Sequence, residues 1–98
     1  MALKLVWNKR PSSYLKKELK RISEESYQGA EAVETGILSN IDKALVQPER
    51  FPADKYKKDN DGSYRAFETH SYRVAYRFTK SEIKVLRVRH VRQEPKEY

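Results

Sequence analysis

The sequence contains no cysteine, which excludes disulfides and thiolate metal sites alike. Its two histidines, His70 and His90, lack metal-ligand spacing, so no metal centre and no cofactor are expected. Three glycines and four prolines are scattered along the chain, with no internal repeat and no low-complexity tract. No apolar run approaches the ~18 residues of a transmembrane helix, so no membrane partner is expected. The stretch Met1–Trp7 is too short for a signal-peptide core and has no cleavage-site pattern, which makes cytoplasmic residence the expectation. A length of 98 residues fits one domain spanning 1–98.

What the chain does have is positive charge. Lys and Arg number 21 against 14 Asp and Glu, a net charge of +7. That balance favours a polyanionic partner, whether RNA, DNA or an acidic protein segment, without choosing among them.

Leu3, Leu5 and Trp7 alternate with Ala2, Lys4 and Val6, predicting a short first strand. Leu15, Leu19 and Ile22 recur at helical spacing after a cap at Asn8 or Ser12-Ser13, and this helix is expected to end between Ser26 and Gly29. A second helix is predicted from about Ala30 to Val46, with Val33, Ile37, Leu38, Ile41, Ala44 and Leu45 on one face and Pro48 ending it. Gly36 should weaken it by about 1 kcal/mol relative to Ala. Turn formers dominate the connector 47–63, where Phe51 is expected to anchor to the core. Strands are predicted at Tyr64–Thr69, Tyr72–Phe78 and Ile83–Val91, joined by hairpins. The order β-α-α-β-β-β is an α+β layout: an antiparallel helix pair on one face of a twisted antiparallel sheet, with the other face open.

Alternation across the sheet then assigns the faces. A three-residue loop at Lys80-Ser81-Glu82 would pair Tyr76 with Leu86 and Val74 with Val88 on the core side. Arg73, Arg77, Arg87 and Arg89 would converge on the open face, joined by Arg65. The competing register buries Arg87 and Arg89 at several kcal/mol per unpaired charge. Arginine forks suit bidentate phosphate contacts, so this face is a candidate nucleic-acid surface, although Glu68, Glu94 and Glu97 are available as ordinary partners. Lys55, Lys57 and Lys58 around Tyr56 add a basic-aromatic cluster that reads equally well as a solvated loop.

The tail from His90 to Tyr98 supplies candidate chemistry. His90 can transfer a proton near neutral pH, and Arg73, Arg89 or Arg92 can stabilise charge on a pentavalent phosphate. Tyr98 can stack on a base or donate its hydroxyl. Strict alternation nevertheless puts His90 on the core side opposite Tyr72, unless a bulge re-aims it. His70 falls in a hairpin connection and is not expected in a site.

The stretches Ile41–Leu45, Pro48–Pro52, Ser71–Arg77 and, above all, Ile83–Arg92 resemble the RelE/ParE superfamily of bacterial type II toxin–antitoxin toxins. The resemblance implies inhibition by a cognate antitoxin. In its RelE-like branch it implies a metal-independent, ribosome-dependent mRNA endonuclease, with Arg65, Arg73, His90, Arg92 and Tyr98 at the positions of the catalytic set. Phe67 stands where that branch has a second basic residue. The ParE-like branch, which poisons DNA gyrase without cutting nucleic acid, shares the strand pattern and is the alternative.

Overall fold

Two apolar faces set the architecture: a helical stripe of Leu15, Val33, Ile37, Ile41 and Ala44, and a sheet face of Phe67, Tyr72, Val74, Tyr76, Ile83, Val85 and Val88. Together they form the buried core. The computed structural model describes residues 3–98; Met1, and Ala2 of the predicted first strand, lie outside the described residues. The elements are β1 (Lys4–Trp7), α1 (Lys9–Glu25), α2 (Tyr27–Val46), a 3-10 turn at Pro48–Arg50, β2 (Tyr64–Thr69), β3 (Tyr72–Phe78) and β4 (Glu82–His90). The predicted α+β order therefore holds.

The sheet order is β1-β4-β3-β2. Strands β2, β3 and β4 are antiparallel as expected, whereas β1 adds to the edge of β4 in parallel, pairing Leu5 with Ile83 and Trp7 with Val85. The last strand is thus an interior one.

α2 begins three residues earlier than its periodicity suggested. Ser26 ends α1 and also caps α2, its Oγ accepting the Gly29 N–H at 2.9 Å, so Gly29 lies inside the second helix. Leu38, assigned to the buried face, is 42% exposed. Gly36 has a packing reason: a Cβ there would stand 2.5 Å from His70 Nδ1 and 2.8 Å from Thr69 Oγ1, so only glycine lets the β2–β3 turn sit this close. At the other helix start, Lys9 and Arg10 open α1 with no acidic residue in the first turn, against the helix dipole.

The β3–β4 register corrects one prediction. Val74 pairs with Val88 as expected, but Tyr76 pairs with Val85 rather than Leu86, because the register shifts between Ala75 and Tyr76. The extra residue makes a β-bulge at Leu86. Its effect is to bury both Ile83 and Val85, at 1% and 0% exposure, while Arg87 and Arg89 keep the opposite face. Strict alternation from Val88 would instead have exposed those two aliphatic side chains.

Candidate functional site

The open face carries the residues that pair across it: Glu68 with Arg73, Tyr64 with Arg77, Ala75 with Arg87, and Arg73 with Arg89. The predicted convergence of Arg73, Arg77, Arg87 and Arg89 is therefore present. It is not bare. The tail returns across it, Arg87 Nη1 donating to the Lys96 carbonyl at 2.7 Å and Arg89 Nη2 to the Glu94 carbonyl at 2.9 Å.

Beneath the tail lies a cavity of about 60 Å³, bordered by Asp54, Tyr56, Glu68, Arg73, Arg87 and Arg89 among others. Arg73 spans it with both arms occupied, Nη2 on Asp54 Oδ1 at 2.8 Å and Nη1 on Glu68 Oε2 at 3.0 Å. Asp54, on its border, also receives the Tyr98 hydroxyl, which donates to Oδ2 at 2.7 Å. Arg87 stacks on the Tyr98 ring at 4.5 Å and Arg73 on Tyr56 at 4.9 Å.

Asp54 is the hub of this arrangement and is 3% exposed. Burial alone would raise its carboxyl pKa. Hydrogen bonds from Arg73, Tyr98 and the Tyr56 N–H outweigh burial and hold it below its ordinary value. Burial, reinforced by the same contact with Asp54, pushes the Tyr98 hydroxyl up, so it stays a proton donor across the physiological range. Sequence reasoning passed over Asp54, since an aspartate in a polar connector is indistinguishable from a turn former; burial identifies it.

Of the other candidates, His90 borders this cavity with Arg73, while Arg65 and Arg92 lie outside its lining. Arg65 belongs to the helix side, not the open face: it pairs with Tyr76 and shares parity with buried Phe67. Its guanidinium holds the connector, Nε donating to the Gly62 carbonyl at 2.8 Å and Nη1 to the Phe51 carbonyl at 3.1 Å. Phe51 itself packs on Phe67 at 5.0 Å, the anchor expected of it. His90 pairs with Tyr72 and sets its ring edge-on to that tyrosine at 5.1 Å, while its Nδ1 accepts the Arg92 N–H at 3.1 Å. Arg92 is exposed beyond β4, and its side chain makes no hydrogen bond or ion pair among the described residues.

Of the remaining basic residues, Arg77 donates to Ser63 Oγ at 3.3 Å and stacks on Tyr64 at 5.1 Å. Lys57 is drawn to the site, its Nζ lying 3.3 Å from the Tyr98 carbonyl and 4.7 Å from the Tyr64 ring. Lys55 lies over Tyr56 at 5.3 Å, and Lys58 is exposed while its backbone N–H donates to the Tyr98 carbonyl at 2.7 Å. Gln93 ties the turn after β4 to α1: its Oε1 accepts the Tyr14 hydroxyl at 3.3 Å and the His90 N–H at 3.1 Å.

A family model described as the ParE toxin of the type II toxin–antitoxin system parDE matches residues 5–95. The chain belongs to this family. No curated protein matches it. Membership of the ParE toxin family makes the chain the toxin of a toxin–antitoxin pair and implies a cognate antitoxin. The match runs from β1 through the turn after β4 and into the tail, so it takes in Asp54, Arg73, Arg87 and Arg89. Among the described residues, no helix of this ParE-family toxin is long and apolar enough to cross a membrane.

Proposed function

We propose that this toxin arrests growth by binding DNA gyrase in the cytoplasm, without cleaving nucleic acid. The observation that carries the reading is the state of Arg73. Both terminal nitrogens of its guanidinium are already paired with protein carboxylates, Asp54 at 2.8 Å and Glu68 at 3.0 Å, so a scissile phosphate would have to compete with two ion pairs. The candidate nuclease set is brought together only in part: His90 borders the same cavity as Arg73, whereas Arg65 and Arg92 lie outside its lining. Arg65 serves the connector, His90 faces Tyr72, and Tyr98 has its proton committed to Asp54. General acid–base chemistry needs its groups within hydrogen-bond reach of a common proton path. A surface built from fixed ion pairs suits recognition better.

The test is to induce the chain and, from the same cells, map mRNA 5′ ends and assay gyrase. Purified toxin is expected to block supercoiling in vitro, mRNA is expected to stay intact, and co-expression of the antitoxin is expected to restore growth. Metal-independent cutting of ribosome-bound mRNA with gyrase unaffected would overturn the reading in favour of an mRNA endonuclease.

A further inference from the structure

Between the start of α1 and the tail runs an open groove of about 610 Å³ that the gyrase reading leaves unused. Its charged lining is Arg10 from α1, Arg87 and Arg89 from β4, and Lys96 and Glu97 from the tail: four cations against one acid. Arg87 and Arg89 donate there only to neutral carbonyls, and Arg89 Nε is buried with no partner among the described residues. The positive surface continues along α1. Lys17 is exposed on the same stripe two turns after Arg10, about 10 Å further along the axis. Glu18, the one acid between residues 9 and 21, is already taken by Arg21 and the Tyr72 hydroxyl.

The cations that open α1 do not serve the fold. Lys9 and Arg10 oppose the dipole of their own helix, and neither makes an ion pair among the described residues. A residue pattern that works against local stability without compensation in the fold points to a partner. A spacing of about 10 Å spans about three phosphates of one strand, at 3.4 Å each along a duplex axis.

From this we infer that the groove between α1 and the tail, lined by Arg10, Arg87, Arg89 and Lys96 and continued along α1 by exposed Lys17, docks the phosphate backbone of duplex DNA. A single strand fits less well. Its binding relies on free aromatic platforms, whereas here the Tyr14 hydroxyl is tied to Gln93 and the Tyr98 ring is covered by Arg87. The contact is sequence-independent, because cations on phosphates position a duplex without reading it. It does not require gyrase as the target, so either proposal can fail while the other stands.

The experiment measures binding of a labelled 20-bp duplex to the purified full chain by fluorescence anisotropy between 50 and 200 mM salt. The double variant Arg10→Ala/Lys17→Ala is compared with Arg50→Ala/Lys80→Ala, which removes equal charge outside the groove, and thermal melting confirms that both are folded. Arg10→Ala/Lys17→Ala is expected to lower the slope of log K against log salt by about 1.8, at about 0.9 per lost phosphate contact. Over this fourfold salt range the affinity would then change roughly tenfold less than in the parent. Arg50→Ala/Lys80→Ala is expected to keep the parental slope. Equal slopes in the two double variants, or no duplex binding by the parent at 50 mM, would overturn the inference. So would tighter binding of single-stranded RNA of the same length, or equal displacement by poly-glutamate, which would assign the groove to RNA or to an acidic protein segment.

Discussion

Tyr98 donates its hydroxyl to Asp54 across 44 positions of sequence, and the same carboxylate receives Arg73 from the sheet on its other oxygen. One buried aspartate thereby joins connector, sheet and tail. Replacing Tyr98 by Phe keeps the ring under Arg87 and removes one hydrogen bond to a charged acceptor. A loss of about 1–2 kcal/mol is expected, checked by denaturant unfolding. Faster exchange of the Lys58 amide, which donates to the Tyr98 carbonyl at 2.7 Å, should accompany it.

Asp54→Ala should be far worse. It leaves Arg73, whose side chain is 19% exposed, with Glu68 alone, so about 2–4 kcal/mol should be lost, read as a drop in the urea midpoint. Asp54→Asn separates charge from shape through pH. The carboxyl is held below its ordinary value in the folded state, so its stabilisation is complete above the unfolded pKa of about 4. That stabilisation is lost as pH falls through the lower folded value. The wild type should therefore lose stability more steeply below about pH 4 than Asp54→Asn does, as measured by melting temperature across pH 2–6.

Gly36 offers a test of close packing against helix propensity. Propensity alone predicts a gain of about 1 kcal/mol for Gly36→Ala. The contacts at 2.5 and 2.8 Å with His70 and Thr69 predict a loss instead. In a His70→Ala background the loss should shrink, with a coupling above about 0.5 kcal/mol in a double-mutant cycle. Additivity would show that the turn yields freely.

The β2–β3 turn places His70 and Ser71 at φ 48° and 70°, a left-handed pair that a serine, unlike glycine, adopts at a cost. Ser71→Gly should raise stability by about 0.5–1 kcal/mol, seen as a higher denaturant midpoint at unchanged slope.

The helices, the strands and the arginine face were legible because periodicity records which side of an element is buried. Val74 opposite Val88 and Phe51 against the core followed from that record. The bulge at Leu86 did not, since Ile83, Val85, Leu86 and Val88 are all apolar and fit more than one register. Arg65 was placed on the wrong face although Phe67, two residues on, already fixed its parity. The tail was the least legible part. Arg87 and Arg89 meet it at the carbonyls of Lys96 and Glu94, and backbone acceptors leave no mark on side-chain pattern. Asp54 and Tyr98 meet only through tertiary folding.

The interior position of β4 governs how this toxin is born. A chain emerging from the ribosome offers Lys4–Trp7 no strand partner until Glu82–Val85 have been made, and β3 likewise lacks one of its two neighbours. Closing so distant a pairing late is costly and slow. The helical hairpin can assemble early, but its apolar stripe stays uncovered until the sheet is whole. The arginine face is therefore assembled only once β4 has been made, because Arg87 and Arg89 lie on that strand and Arg73 on its neighbour.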